Sequence, residues 1–129
     1  MNDRNTMRIA AVADLHRDNN DNASFQRLFT YAAEKADVLL LCGDLTDYGL
    51  PDEAKLLAAE LIQVKIPVIA VLGNHDFESG QADAITHILS DVGVKVLDGQ
   101  GFQLGQVGFA GPRADFSGPR PLKMEGGRW

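Results

Sequence analysis

Three polar clusters carry the residue types that do chemistry. They are Asp14-Leu15-His16, Gly43-Asp44 and Gly73-Asn74-His75-Asp76, and each follows directly on an apolar run. Carboxylate, imidazole and amide oxygen are hard or borderline ligands that suit Mn, Fe, Zn or Mg. The sole cysteine argues against a structural thiolate zinc site. A bend at a strand end can turn both side chains of an Asp-x-His pair to one ion, and the two oxygens of Asp44 can bridge two ions. Two ions roughly 3.5–4 Å apart stabilise both the attacking and the leaving oxygen of an in-line displacement at phosphorus. Water on such ions loses a proton far more easily than bulk water does. His75 beside them can stabilise or protonate the leaving oxygen, and Asp76 can orient the His75 ring.

The elements that position these clusters are legible in the apolar pattern. Residues 8–13, 37–42 and 67–72 read RIAAVA, DVLLLC and PVIAVL. None alternates strictly, as expected for strands buried on both faces of a parallel sheet. Between them lie helical patterns. Ser24 is placed to cap a helix through Ala36, with Phe25, Leu28, Phe29, Ala32, Ala33 and Ala36 on one side. Pro51 opens a second helix that turns Leu56, Leu57, Leu61 and Ile62 inward and ends near Gln63. A third spans about 80–92, buries Ala84, Ile85, Ile88, Leu89 and Val92, and stops at Gly93. Strand–helix–strand units of this size imply right-handed parallel crossovers. In open α/β sheets ligands sit outside the carboxyl ends of the strands, so the three clusters should converge. Asp14 to Asp44 and Asp44 to Asn74 are each 30 residues, the size of one such unit. Beyond Gly93, residues 94–97, 101–104 and 107–110 read as short antiparallel pieces with turns at Asp98-Gly99 and Gly105-Gln106.

The totals bound the reading. A chain of 129 residues with 45% apolar content suits one small domain with a real core. A net charge of −6 argues against a non-specific nucleic-acid or anionic-membrane binder. Cys42 sits in an apolar run and reads as a small core residue. The N-terminus shows no signal-peptide pattern and no run reaches membrane-spanning length, so a cytoplasmic protein is expected. Residues 111–129 are rich in Gly and Pro, with Arg113, Arg120, Lys123 and Arg128 against Asp115 and Glu125. This stretch therefore carries +2 and the remainder −8. It is expected to be an irregular tail.

Taken together, DLH at 14–16, GD at 43–44 and GNHD at 73–76 resemble the first three motifs of the calcineurin-like metallophosphoesterases, in order, spacing and strand context. The resemblance covers roughly residues 7–110. It implies an α/β fold, a β-sandwich flanked by helices, and two-metal hydrolysis of phosphomonoesters or phosphodiesters by a metal-bound hydroxide. Asp14 and His16 would bind the first ion, Asp44 would bridge, Asn74 would bind the second, and His75 would act on the substrate phosphate.

The sequence also departs from the family pattern. A further metal-binding His and a later Gly-His-x-His motif are expected, yet the only histidines are His16, His75 and His87. His87 falls in a helical pattern and matches none of these positions. The first ion thus lacks one His ligand and the second lacks two. The expectation is an N-terminal portion, 1–110, of a metallophosphoesterase domain, with an incomplete sandwich and the tail 111–129. The alternative is a non-catalytic remnant that binds at most one ion weakly or associates with another chain through open sheet edges. Bland readings apply elsewhere. His87 is a partly exposed helix residue, Asp18 and Asp21 lie in a solvated loop, and Asp47 caps a helix or makes a contact behind the metal ligands. Phe102, Val107 and Phe109 are core, and Arg113 is solvated.

Overall fold

The computed structural model describes residues 6–18 and 25–112. Four parallel strands stand in chain order: β1 (Ile9–Val12), β2 (Val38–Cys42), β3 (Val68–Val71) and β4 (Lys95–Val96). The crossovers are α1 (Gln26–Lys35), α2 (Pro51–Leu61) and α3 (Ala82–Asp91). A fixed hand and a sequential strand order put all three helices on one face of the sheet. That face holds the main core. Phe29 and Ala32 of α1, Leu57 and Leu61 of α2, and Ile85 and Leu89 of α3 pack on Leu39, Leu41, Val68 and Ala70. The register is continuous, with Val12 opposite Leu41 and Leu41 opposite Ala70. The strand ends are therefore level, and the segments that follow them emerge side by side.

The other face is covered by a two-stranded antiparallel hairpin, β5 (Gly101–Leu104) and β6 (Val107–Ala110). Phe102, Leu104 and Phe109 pack there against Val38, Ile69 and Leu97. The hairpin turns at Gly105, whose φ of +62° favours glycine. Parallel sheet, helices and hairpin together make the expected mixed α/β fold.

Several details differ from the sequence reading. Residues 94–97 are not an antiparallel piece: β4 pairs in parallel with β3, Ile69 opposite Lys95, because α3 returns the chain in its starting direction. β1 is not buried on both faces. It is an edge strand with Ile9 47% exposed, since the hairpin covers only the far end of the sheet. Cys42 is exposed on the hairpin side, where apolar neighbours push its thiol pKa up. Leu28 and Ile62 are exposed, Ile62 because it lies one residue past the last turn of α2. Ser24 and the residues from Arg113 onward lie outside the described residues, as does Asp21. The first residue before α1 that is described is Phe25, whose backbone N–H donates to Glu60 Oε2 at 2.8 Å. Pro51 does open α2, and Glu53 at its third position turns back. The fully buried Glu53 carboxylate accepts the Tyr48 and Leu50 N–H groups at 2.9 and 3.1 Å, giving those orphan donors a partner.

Candidate metal centre

The polar clusters lie beyond the carboxyl ends of β1, β2 and β3, and the backbone there is held in an unusual conformation. Asp14, His16 and Asp44 have φ of +58°, +49° and +51°, the non-glycine residues in the left-handed region among those described. Each such residue costs on the order of 1–3 kcal/mol unless its surroundings fix it. The surroundings do. Asp14 N–H donates to Gly43 O at 3.1 Å, His16 N–H to Asp44 O at 2.9 Å, and Arg17 N–H to Leu45 O at 2.9 Å. The two strands thus stay tied past their regular ends, through a bridge between Arg17 and Thr46.

A second tie joins residues 43–50 to the single 3₁₀ turn Asn74–Phe77. Asp76 is fully buried. Its carboxylate accepts Leu45 N–H at 3.1 Å, Gly73 N–H at 2.8 Å, and both the N–H and the hydroxyl of Thr46, at 2.8 and 2.6 Å. Asp76 does not orient the His75 ring, in contrast to the expectation from sequence. Both of its oxygens are spent on the neighbouring loop, because a buried carboxylate needs several donors to offset its lost hydration. The His75 ring is positioned instead by Asp47. Its Nδ1 lies 2.7 Å from the Asp47 carbonyl oxygen, which accepts the ring N–H.

Asp47 serves the other imidazole too, with Oδ1 3.4 Å from His16 Nδ1. It does not cap α2, whose cap residue is Leu50. The contact behind the ligands is therefore the expectation for Asp47 that the structure matches. The His16 and His75 rings meet edge to face with centroids 4.5 Å apart. Asp44 Oδ1 accepts the His75 backbone N–H at 3.0 Å. One donor atom from each of His16, Asp44 and His75 lies within 4.8 Å of the others, all three residues being half-buried. A carboxylate and two imidazoles suit a borderline divalent cation, so this group fits a metal. Asp14 stands at the lip, with its side chain 70% exposed and Oδ1 4.0 Å from His16 Nε2. Asn74 is exposed at the start of the 3₁₀ turn. His87 lies away from these residues on α3, 78% exposed and 3.5 Å from Asp91 Oδ2, as expected of a helix-surface residue.

Two glycines admit this packing. A Cβ on Gly73 would sit 2.2 Å from Asp44 Oδ1, so the glycine is required by close approach and not by its extended backbone. A Cβ on Gly49 would sit 2.8 Å from His75 O, and its φ is +70°. The His75 pKa is raised, first by the Asp47 carbonyl that accepts its ring N–H, against desolvation, with the negative charges of Asp44, Glu78 and Asp47 adding to the rise.

The family model for calcineurin-like phosphoesterases matches residues 7–127. The chain belongs to that family. The match runs past residue 110, where the motif resemblance was expected to fade, and it includes all three clusters. Comparison with curated proteins finds no match. Asp14, His16, Asp44, Asn74 and His75 were singled out by the motif resemblance. Thr46, Gly49 and Glu53 were missed as supports. Only the proximity of Thr46 to Asp44 in sequence marked it, and its partner, Asp76, lies 30 residues on.

Proposed function

We propose that this site is built for metal-dependent hydrolysis of phosphate esters, mono- or diesters of small molecules. The observation that carries the reading is the His16, Asp44 and His75 group at the carboxyl ends of adjacent parallel strands, in a chain of the calcineurin-like phosphoesterase family. Divalent ions, when bound, supply an acidified water and neutralise charge on the phosphate oxygens. In a site with its full set of ligands, Asp14, His16, Asp44 and Asn74 would hold the divalent ions. His75 faces the phosphate, and the Asp47 carbonyl sets its tautomer. Asp76 holds the two loops together without touching substrate. Mn, Fe, Zn and Mg all remain compatible with this donor set.

A second reading is favoured by one observation: these residues contain three histidines, one of which lies on α3 away from the group. On that reading the chain binds at most one ion and does not turn over phosphate esters. The two readings separate when purified chain is analysed for bound metal and assayed on a chromogenic phosphodiester with Mn²⁺, with Asp44→Asn as control. Two ions and turnover lost in Asp44→Asn support the hydrolase. Metal without turnover supports the second reading.

A cytoplasmic location belongs to the same proposal; no described helix is long and apolar enough to cross a membrane. So does self-association. Among the described residues β1 pairs on one side only and carries exposed Ile9, an edge of the kind that invites pairing. Sedimentation that stays unchanged in Ile9→Lys would count against it.

A further inference from the structure

The two imidazoles of the metal group share one support. Asp47 presents its carbonyl oxygen to His75 Nδ1 at 2.7 Å and its carboxylate to His16 Nδ1 at 3.4 Å. A histidine that ligates a metal characteristically donates its other ring N–H to a carbonyl or carboxylate, which fixes the tautomer and leaves the opposite nitrogen's lone pair for the ion. The His75 ring meets that condition and keeps Nε2 for an ion; His16 Nδ1 has the Asp47 carboxylate beside it as a longer ion-pair contact. Asp44 is tied into the same unit because Oδ1 accepts the His75 N–H, which leaves Oδ2 for a ligand bond.

Distances point the same way. Donors each ~2.1 Å from one ion lie at most ~4.2 Å apart. The donor atoms of His16, Asp44 and His75 are within 4.8 Å of one another. Sharing one ion would require the group to close by that difference. Asn74 is exposed on the turn, and a second ion would find only it and one Asp44 oxygen among the residues that the family motifs assign.

We infer that these residues hold a single divalent ion, with His75 as a ligand beside His16 and Asp44, taking the place of a histidine that the sequence lacks. The inference rests on the metal-binding part of the proposed function and changes the role of His75 within it. A ring committed to the ion through Nε2 has no proton there for a leaving oxygen, so metal binding and His75 acid catalysis exclude each other in this chain. Asp14, 4.0 Å from His16 Nε2 at the lip, is placed to add a carboxylate oxygen to the same ion.

The test is titration of the metal-free chain with Co²⁺, followed by visible absorption and calorimetry, for the parent, His75→Ala and Asn74→Ala. The expected result is one ion per chain, an affinity at least about tenfold weaker in His75→Ala, and little change in Asn74→Ala. Two ions per chain, or parental affinity in His75→Ala, would overturn the inference while leaving metal dependence intact. No binding by the parent would overturn both. Far-UV circular dichroism checks the variants. Should His75→Ala not fold, proton NMR of the Co²⁺-loaded parent decides. Strongly shifted ring protons from both His16 and His75 support a shared ion, and an unshifted His75 ring overturns it.

Discussion

The Asp76 carboxylate and the Thr46 hydroxyl meet at 2.6 Å in a fully buried contact that joins two strand-end loops 30 residues apart in sequence. The same carboxylate holds three backbone N–H groups. It thereby fixes where Asp44, two residues before Thr46, stands relative to His75, the residue before Asp76.

Removing that carboxylate leaves buried donors without an acceptor, each worth roughly 1–3 kcal/mol. Asp76→Ala should destabilise the chain by on the order of 3 kcal/mol or more. Asp76→Asn should cost less, since one amide oxygen still accepts. Thermal unfolding checks this: a drop of roughly 10 °C is expected for Asp76→Ala. An unchanged midpoint would show that the loops are held by something else.

Gly73 separates packing from backbone preference. Its φ of −109° and ψ of −178° suit any residue, yet an added Cβ would lie 2.2 Å from Asp44 Oδ1 and 2.4 Å from Asp44 N. Gly73→Ala should therefore push Asp44 aside, costing about 1–3 kcal/mol in overpacking and weakening Co²⁺ binding. Gly108→Ala, in β6 with nothing within 4 Å of the new methyl, is the control. It should leave metal binding unchanged and hold or slightly raise stability. Equal metal affinity in both variants would contradict the close approach of Gly73 to Asp44.

How much of this was legible beforehand follows from range. β2, β3 and α2 were found within a residue or two, because their signals are local: an apolar run for each strand, and for the helix a proline at the first helical position. The convergence of His16, Asp44 and His75 was also legible, since it follows from parallel topology alone. The role of Asp76 was not, and that of Asp47 was only one of two alternatives. Asp76 sits beside His75 in sequence, but the 3₁₀ turn sends the two side chains to different partners. Asp47 acts on His75 through its backbone carbonyl, an atom every residue has. The direction of β4 was misread because two residues carry no pattern, and only the return of α3 sets it. The exposure of Ile9 was hidden as well: a continuous apolar run looks the same whether a second layer covers it or not.

Asp37 and Arg8 pin the start of the β1–β2 pair. The Arg8 N–H donates to Asp37 Oδ2 at 2.8 Å, and Arg8 Nη2 lies 3.5 Å from Oδ1. The backbone N–H, with help from the guanidinium and against desolvation, holds the Asp37 pKa below its ordinary value. A carboxyl whose pKa is lowered on folding contributes stability above its unfolded pKa, ~3.9, and loses it as pH falls through the folded value. Asp37→Asn should therefore be less stable than the parent at pH 7, with the gap closing toward pH 2. Parallel stability curves for the two proteins between pH 7 and pH 2 would show that Arg8 gives Asp37 nothing.

His75 carries the opposite sign. In the metal-free chain its pKa is raised, chiefly because the Asp47 carbonyl accepts the ring N–H and then because of the negative charges nearby, Asp44 first among them. A histidine with a raised folded pKa contributes stability that is fully present below its unfolded pKa, ~6.5, and is lost as pH rises through the folded value. Proton NMR of the metal-free chain should show the His75 ring titrating above the ordinary histidine value of ~6.5. In Asp44→Asn the His75 midpoint should move down, since one attracting charge is gone while the carbonyl bond remains. Because a metal and a proton compete for Nε2, adding Zn²⁺ should abolish the His75 titration step. A His75 midpoint at or below the ordinary histidine value in the metal-free chain would mean that the Asp47 carbonyl does not hold the ring.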